Sequence, residues 1–323
     1  MAERRLYVAE VRKKLSESRN ITILTHLNPD ADTIGTGLGI YNLLIKDRTK
    51  RVEIVNASKM LPRHLDFLSG FEKIKYKMDF DESLIISCDC GSVDRLGFTL
   101  ENRFIINIDH HQSNEQYGEI NVVIPEYASA SQVAFMLLRE IYEINADSAS
   151  CFYAALLSDT RYFTTSSVNQ KVFDAARDLV ELGADPAMIA YNFTQRRSLS
   201  SLRILHRALG NLELKCDARI ATLFVTKEDI AVTGATMPDM EGIVDYARSL
   251  KTVEVALFAM EMEREIRISL RSKGADVSRV AAVFGGGGHK VAAGWTLDKR
   301  DLHETIDIIV KNIQKLGLID GKE

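Results

Sequence analysis

The sequence predicts an α/β protein in which a doubly wound, mainly parallel sheet is followed by a second, smaller α/β domain. In the first half of the chain, short apolar segments rich in β-branched residues alternate with segments of helical periodicity, which is typical of a doubly wound fold. These apolar segments have no polar face, as expected of parallel strands buried on both sides. From Ala218 onward the pattern changes, and strict alternation over Glu265 to Arg271 predicts an antiparallel sheet.

The first domain begins with a predicted helix over Glu3 to Ser18. Predicted strands follow at Ile21–Thr25, Val52–Val55, Leu84–Ser87 and Phe104–Ile108. Predicted helices lie at Asp32–Lys46, from Ser129 or Ser131 to about Ile144, at Asp147–Leu157 and at Val168–Leu182. Gly183 and Pro186 end the last of these helices.

A helical connector is predicted to join the two domains. Residues Pro186 to Leu209 have helical character with a polar middle at Gln195 to Ser198. Beyond them, predicted strands lie at Ala218–Val225, Val253–Glu261 and Glu265–Arg271, and predicted helices at Pro238–Leu250, Val277–Phe284 and Asp301–Leu316. The expected organisation is therefore a domain of residues 1–185, a connector of residues 186–210 and a domain of residues 211–323.

Composition limits the partners that the chain can bind. A net charge of −4 over 323 residues argues against a long nucleic-acid-binding surface, whereas a short nucleotide held by a few local cations is compatible with it. The four cysteines, Cys88, Cys90, Cys151 and Cys216, do not form a disulfide framework. No apolar segment is long enough to span a membrane, and the charged N-terminus lacks the apolar core of a signal peptide. The sequence therefore predicts a cytoplasmic protein that does not engage a membrane.

Acidic and histidine residues follow the ends of several apolar segments. They are His26, Asp30 and Asp32 after the first predicted strand, Asp89 after the third, Asp109 and His110 after the fourth, and Asp159 at the exit of a helix. In doubly wound sheets ligands bind beyond the carboxyl ends of the strands, so we expect these side chains to converge. Carboxylate and imidazole groups without thiolates favour a pair of divalent ions, manganese first, with magnesium or iron as alternatives.

Each of these residues also has an ordinary structural interpretation. Asp30 and Asp32 could cap the helix that follows them. Asp89 could be a turn residue, Asp159 a loop carboxylate and His26 a buried histidine with satisfied hydrogen bonds. A metal site explains all of them at once, whereas the structural interpretations require several acidic strand ends in one fold to be unrelated.

Four motifs, in this order, resemble those of the DHH phosphoesterases. They are His26-Leu-Asn-Pro-Asp-Ala-Asp32, Asp89-Cys-Gly91, Asp109-His-His111 and Ser158-Asp-Thr160. Residues Phe284 to Gly294, with four consecutive glycines before His289, resemble the DHH-associated C-terminal domain. The match covers nearly the whole chain, and the chain length and glycine run resemble the subgroup of nanoRNases and pAp phosphatases.

The resemblance implies a role for each residue of these motifs. One metal would be held by His26, Asp30 and Asp89, and the other by Asp32, Asp89, His110 and Asp159. Asp89 would therefore bridge the two ions and is expected to be essential for catalysis. His111 would contact the scissile phosphate or stabilise its leaving oxygen, and Asp109 would orient a ligand histidine.

In the C-terminal domain the resemblance implies a substrate-binding site. Its expected residues are Arg271, Gly286, Gly287, Gly288 and His289. Glycines let backbone amides approach a ligand closely, and an arginine can pair with a terminal phosphate. Arg161 departs from the family, which usually has a small residue at this position after Asp-Thr. It could clamp a substrate phosphate or point to solvent, and both interpretations stay open.

The resemblance implies a phosphoesterase that hydrolyses short oligoribonucleotides (nanoRNA) to mononucleotides and removes the 3′-phosphate of pAp. Its expected partners are short single-stranded RNA, dinucleotides or pAp. The resemblance to the subgroup also implies a homodimer. The alternative enzyme is a phosphodiesterase of cyclic-dinucleotide turnover that acts on pApA, pGpG or the cyclic form. A nucleotide-binding regulator without catalysis is disfavoured by the complete set of metal ligands. A module for single-stranded nucleic acid would need a basic groove and an aromatic platform that the sequence does not show.

Overall fold

The computed structural model describes residues 2–319, without the side chains of residues 2–6 and of His289. The chain folds into two compact units, residues 1–196 and residues 197–323. Both units are α/β, and the first contains a six-stranded parallel sheet, so the predicted fold class is confirmed. No helix within residues 2–319 has both the length and the hydrophobicity that crossing a membrane requires.

The first unit is a doubly wound α/β structure. Its α-helices are α1 (Ala2–Glu17), α2 (Ala31–Leu44), α3 (Ala130–Leu138), α4 (Ala146–Asp159), α5 (Gln170–Glu181) and α6 (Pro186–Thr194). Its strands are β1 (Asn20–Thr25), β2 (Arg51–Asn56), β3 (Ile74–Lys75), β4 (Leu84–Cys88), β5 (Ile105–Asp109) and β6 (Ile120–Val123). The strand order is β3-β2-β1-β4-β5-β6, with every neighbouring pair parallel. The order reverses between β1 and β4, where doubly wound sheets form a ligand-binding crevice.

Strands β1, β4 and β5 form the buried centre of this sheet. Almost all of their residues are buried, because apolar cores lie on both faces. Thr25 pairs with Cys88, and Cys88 pairs with Ile108, so the three strands reach the same edge at the same level. The residues that follow each strand therefore meet at that edge.

Helices α2 and α4 pack so closely that glycine is required between them. A Cβ atom at Gly35 would lie 2.7 Å from the carbonyl oxygen of Cys151, closer than atoms of this kind approach. The first turn of α2 contains Asp32, and α4 ends at Asp159. The packing of the two helices therefore sets the distance between these carboxylates.

The second unit has a largely antiparallel sheet. Its α-helices are α7 (Leu199–Gly210), α8 (Lys227–Thr233), α9 (Ile243–Arg248), α10 (Ser278–Val283) and α11 (Leu302–Lys315). Its strands are β7 (Glu213–Lys215), β8 (Ile220–Val225), β9 (Val255–Glu261), β10 (Glu265–Ser272), β11 (Gly287–His289) and β12 (Ala292–Asp298). The order is β11-β12-β10-β9-β8-β7, and only the β8–β9 pair is parallel. Alternate residues of β9 enter two separate apolar cores, since successive side chains point to opposite faces.

The predicted connector is helical, but it consists of two helices rather than one. Helix α6 ends at Thr194, and α7 begins at Leu199. Ser198 caps α7, since its Oγ accepts a hydrogen bond of 2.9 Å from the N–H of Ser201. Such a cap stabilises a helix start, so the polar middle of the predicted helix is a break.

Other elements also differ from the sequence-based expectation, and strands β3, β6 and β7 and helix α8 are among those that were not predicted. The helix predicted to run to about Ile144 ends at Leu138, and Asn145 caps α4 by accepting a hydrogen bond of 3.0 Å from the N–H of Ser148. The strands β11 and β12 were not predicted, because glycine is rare in strands and obscures their pattern.

Candidate metal centre

The structure brings together every residue that the sequence predicts at the metal site. The residues follow β1, β4 and β5, begin α2 and end α4. Their nitrogen and oxygen atoms form three groups, each within 4.8 Å: His26, Asp30 and Asp89; Asp32, His110 and Asp159; and Asp89, Asp109, His110 and His111. Mixed carboxylate and imidazole groups of this size can hold divalent ions.

In the first group, His26 presents one ring nitrogen to two carboxylates. Its Nε2 lies 3.7 Å from Asp30 Oδ1 and 3.7 Å from Asp89 Oδ2. The other nitrogen, Nδ1, lies 2.8 Å from the carbonyl oxygen of Leu27, which can only accept, so Nδ1 carries the proton. A guanidinium nitrogen of Arg95 lies 3.3 Å from Nδ1 and could only donate to it, which would require Nδ1 without a proton. We assign the proton to Nδ1 because its contact with the carbonyl oxygen of Leu27 is shorter. The lone pair of Nε2 is therefore directed at the carboxylates, as a metal ligand requires.

In the second group, His110 is surrounded by three carboxylates. Its Nε2 lies 3.8 Å from Asp32 Oδ2, 3.5 Å from Asp89 Oδ1 and 3.6 Å from Asp159 Oδ2. Its Nδ1 is 3.3 Å from the carbonyl oxygen of Tyr127, which again places the proton on Nδ1. Both histidines thus direct an unprotonated nitrogen towards acidic side chains, with a backbone carbonyl fixing the ring.

Asp89 contributes to two of the groups and is the most constrained residue of the centre. Its side chain is buried, and its Oδ1 has no hydrogen-bond partner. Its backbone is left-handed, with a φ of 55°, a conformation that non-glycine residues adopt mainly at constrained sites. A buried carboxylate oxygen without a partner is unfavourable, and a cation at this position would satisfy it. The residues present therefore fit a divalent metal.

Burial and mutual repulsion raise the pKa values of three carboxyl groups in the centre. For Asp89, burial raises the pKa well above its ordinary value, and the charges of Asp32 and Asp30 add to the effect. Burial likewise raises the pKa of Asp32, and burial together with the same neighbours raises the pKa of Asp159 to about 8. A cation bound among carboxylates crowded in this way would favour their ionised forms.

Asp32 is held by the N-terminus of α3 as well as by its own helix. Its Oδ2 accepts a hydrogen bond of 2.7 Å from the N–H of Ala130, and its Oδ1 accepts one of 3.1 Å from the N–H of Ser131. Thr36 Oγ1 donates to Oδ1 at 3.2 Å. Backbone N–H groups at a helix start favour a negative charge, so they position the ionised carboxylate.

Asp30 caps α2 and also lies beside His26, so the two roles that the sequence left open are compatible. As the N-cap of α2, its Oδ1 accepts hydrogen bonds from the N–H groups of Asp32 at 3.0 Å and Thr33 at 3.1 Å. The same oxygen lies 3.7 Å from Nε2 of His26. Capping does not prevent metal binding, because the carboxylate has a second oxygen.

Asp109 holds the ring of His111 and reaches His110 through the backbone. Its buried Oδ1 lies 2.7 Å from His111 Nδ1 and accepts a hydrogen bond of 2.7 Å from the N–H of His110. Its Oδ2 accepts a hydrogen bond of 2.5 Å from Asn114 Nδ2, a residue that the sequence did not single out. Burial lowers the pKa of His111, but the hydrogen bond and the charge of Asp109 outweigh it and raise that pKa. Asp109 therefore orients His111 and favours its protonated form.

Arg161 occupies a left-handed position directly after Thr160. Its φ of 46° lies in the region that favours glycine, which explains why a small residue suits this position. Its positive charge acts to lower the pKa of Asp159, against the larger effects of burial and neighbouring carboxylates. Arg161 is therefore within electrostatic reach of the metal centre, and its contact with phosphate stays a prediction.

The candidate substrate-binding residues of the second unit lie in or beside strands. Arg271 is in β10, and its Nη1 donates a hydrogen bond of 3.0 Å to the carbonyl oxygen of Leu270. Gly287 and Gly288 belong to β11, and the side chain of His289 lies outside the described part of the structure.

The glycines of this run are present for different reasons. A Cβ atom at Gly286 would lie 2.4 Å from Cβ of Trp295, and one at Gly288 would lie 2.4 Å from the carbonyl oxygen of Ala292. A Cβ atom at Gly287 would meet no atom within 4 Å. Packing therefore requires glycine at the first two positions, whereas Gly287 has an open surface that a ligand could approach.

Comparison with protein families matches both units of the chain. The DHH family, N-terminal domain, matches residues 20–156, and the DHHA1 domain matches residues 205–315. The two matches together span more than half of the chain.

Individual relatives and solved structures are also similar to this chain over most of its length. The bifunctional oligoribonuclease and PAP phosphatase NrnA of Thermus thermophilus is 26% identical over 318 residues, which cover 97% of this chain and 94% of that protein. The cyclic-di-AMP phosphodiesterase PdeA of Listeria monocytogenes is 24% identical over 309 residues, but they cover 85% of this chain and 44% of that protein. The crystal structure of an exopolyphosphatase-related protein from Bacteroides fragilis matches with a TM-score of 0.90 at 27% identity and covers 96% of each chain.

Proposed function

The chain belongs to the DHH family, and we propose that it is a metal-dependent phosphoesterase that hydrolyses short oligoribonucleotides to mononucleotides and removes the 3′-phosphate of pAp. The observation that carries the proposal is Asp89, whose buried Oδ1 makes no hydrogen bond and which belongs to two of the groups of histidine and carboxylate ligands. The Thermus relative is named for both activities and matches nearly the whole chain. Both reactions are hydrolyses at phosphorus, so one centre can serve both.

We assign two divalent ions to the centre. His26, Asp30 and Asp89 would hold one, and Asp32, Asp89, His110 and Asp159 would hold the other. Oxygen and nitrogen ligands without thiolates favour manganese, with magnesium or iron as alternatives. Ions bound here would lower the pKa of an attacking water and neutralise charge on the phosphate.

We propose that His111 stabilises the leaving oxygen by giving it a proton. Asp109 accepts from Nδ1 across 2.7 Å, which keeps the ring oriented and raises its pKa. In the protonated ring, the second nitrogen, Nε2, would carry a proton that it can donate to the leaving oxygen of the ribose. His111 would therefore act as the general acid, and Asp109 would position it.

We propose that the second unit binds a terminal phosphate of the substrate. Gly287 has an open surface where a backbone amide can approach an anion, and Arg271 and His289 would add charge and hydrogen bonds. A net charge of −4 provides no long cationic track, which favours substrates of a few nucleotides over long RNA.

The second candidate function is cleavage of pApA, pGpG or a cyclic dinucleotide. It is favoured by the similarity to the Listeria phosphodiesterase, although less than half of that protein is matched. Turnover of pAp, pApA, pGpG and c-di-AMP under identical conditions separates the two. Faster turnover of c-di-AMP than of pAp would favour the second candidate function.

We place the enzyme in the cytoplasm, where reduced thiols persist, since all four cysteines are free. A homodimer stays a prediction from the family resemblance. Light scattering on the purified protein measures it directly.

Digestion of RNA ladders of defined length, labelled at the 5′ or 3′ end, tests the proposed function. With manganese, we expect mononucleotides from di- to pentanucleotides and much slower loss of long RNA. Asp89→Asn should lower turnover by more than about 100-fold, because it removes the negative charge and one oxygen donor of a shared metal ligand. Asp81→Asn, at an exposed carboxylate, should behave as the wild type. Hydrolysis by Asp89→Asn at the wild-type rate would show that the assigned centre is not the active site.

A further inference from the structure

Three consecutive residues after Asp159 have a left-handed backbone. The φ angles of Arg161, Tyr162 and Phe163 are 46°, 60° and 61°. Residues with side chains adopt this conformation singly as a rule, because Cβ then crowds the following carbonyl oxygen. The segment is held by hydrogen bonds from the N–H of Tyr162 to the carbonyl oxygen of Leu157 at 2.8 Å and from the N–H of Phe163 to Thr160 Oγ1 at 3.2 Å. A strained segment that is fixed in this way beside a metal centre suggests a functional placement of its side chains.

The strained segment places Tyr162 on an aromatic cluster. The ring of Tyr162 meets that of Phe193 edge to face, with centroids 6.4 Å apart and planes at 90°. Phe193 also contacts Phe67 at 5.5 Å and His64 at 6.4 Å. We call these four residues the aromatic platform. They come from three separate segments, so the sequence gives no signal for the cluster.

Within the platform, Tyr162 is exposed to solvent, as is His64. Tyr162 is 44% exposed, whereas Phe67 and Phe193 are half-buried. The half-buried rings fix the position of Tyr162, so little conformational freedom is left for a ligand to remove. A rigid, exposed aromatic ring is the feature on which proteins stack nucleobases.

Tyr162 is also close to the carboxylates of the metal centre. Asp159, three residues earlier, has its Oδ2 3.6 Å from Nε2 of His110. Three peptide units place the Cα atoms of Asp159 and Tyr162 no more than about 11 Å apart. This is the scale of a single nucleotide, whose base and phosphate could therefore contact the platform and the centre together.

We propose that Tyr162 stacks on the nucleobase adjoining the phosphate that is hydrolysed, and so sets a preference for phosphoesters of nucleosides over phosphoesters of plain sugars. The inference rests on the proposed function and adds to it a base-binding residue of this chain. Because every base has an aromatic face, the contact selects for the presence of a base and tolerates its identity.

Kinetics with two matched substrates test the inference: pAp and its base-free analogue ribose 3′,5′-bisphosphate. Tyr162→Ala should raise KM for pAp by about 5- to 100-fold and leave kcat and the kinetics of the base-free analogue near the wild type. Tyr162→Phe should restore the wild-type KM, because stacking uses the ring and not the hydroxyl. The control is Tyr76→Ala, at a tyrosine of the same unit that is 55% exposed. It should change neither KM nor kcat for either substrate.

The outcomes separate this inference from the proposed function. If the wild type hydrolyses pAp, and Tyr162→Ala changes KM for both substrates equally or for neither, base stacking is wrong and the phosphoesterase proposal stands. If the wild type hydrolyses no nucleotide with any divalent metal, the proposed function fails and the inference fails with it. Thermal unfolding of each variant identifies a loss caused by misfolding, and in that case Tyr162→Phe must still match the wild type or the inference is rejected.

Discussion

Among single residues, Asp109 allows the proposed proton transfer by His111 to be tested separately from metal binding. Its carboxylate contacts the ring of His111 and touches His110 only through the backbone N–H. We expect Asp109→Asn to lower kcat by about 10- to 100-fold, the usual range for a group that orients a functional side chain. Manganese affinity should stay near that of the wild type, because the ligand atoms keep their partners. Steady-state kinetics and calorimetric titration with manganese measure the two quantities.

The control for this variant is Asp81→Asn, which removes an exposed carboxylate and should change neither quantity. A loss of manganese binding in proportion to the loss of turnover would mean that Asp109 acts on the metal ligands instead of on His111.

The crowded carboxylates should make the metal-free protein sensitive to pH. Asp159 has a pKa of about 8 in the folded chain, compared with an ordinary value of 3.8. A group that binds its proton more tightly when folded stabilises the fold fully below its unfolded pKa, and this contribution is lost as the pH rises through the folded value. In EDTA, Tm should therefore fall as the pH is raised from about 6 to about 9.

Bound manganese should remove most of this dependence, because the cations compensate the ionised carboxylates. The Tm difference between manganese-loaded and EDTA-treated protein should thus widen with pH, and Asp159→Asn should flatten the EDTA curve. A difference that stays constant over this range would mean that the carboxylates are not crowded in solution.

At the residue scale, the sequence predicts which side chains converge but not what holds them. His26, Asp89 and Asp109 could be singled out because they follow parallel strands, whose carboxyl ends share one edge. The contact between Asp32 and the N-terminus of α3 spans 98 residues and leaves no local pattern. The same is true of Tyr162 on Phe193, since a ring contact between distant segments depends on the finished fold.

At the scale of elements, the contact between α2 and α4 controls the geometry of the centre. Gly35→Ala would bring Cβ to 2.7 Å from the carbonyl oxygen of Cys151, so the helices must separate. We expect a loss of about 1–3 kcal/mol in the free energy of unfolding, the usual effect of overpacking. Turnover should fall as well, because Asp32 and Asp159 lie on these two helices. Urea unfolding and steady-state kinetics measure both effects.

Gly210→Ala is the matched control, since a Cβ atom there meets nothing within 4 Å and α7 ends at this residue. It should be neutral or slightly stabilising, because alanine restricts the unfolded chain. Equal stability of the two variants would contradict the close packing of α2 on α4.

Elements with a strong hydrophobic pattern could be predicted from the sequence, and element boundaries set by local hydrogen bonds could not. The buried strands β1, β4 and β5 are continuous apolar runs, and the structure contains each of them. The break between α6 and α7 depends on the cap by Ser198, which competes with a continuous helix that the pattern also allows.

At the scale of the whole molecule, the sequence predicts two α/β units in their order along the chain. The units divide between Arg196 and Arg197, inside the polar segment of the predicted connector. Strand pairing in the second unit could not be predicted, because β11 is short and glycine-rich and gains its partner only through the hairpin with β12. The net charge of −4, which is counted over the whole chain, is compatible with a short nucleotide substrate.

Anomalous diffraction from crystals of the full chain grown with manganese tests the metal centre most directly. We expect two peaks, both in contact with Asp89. One should be bound by His26 and Asp30, and the other by Asp32, His110 and Asp159. A single peak, or peaks bound away from Asp89, would contradict a shared two-ion site.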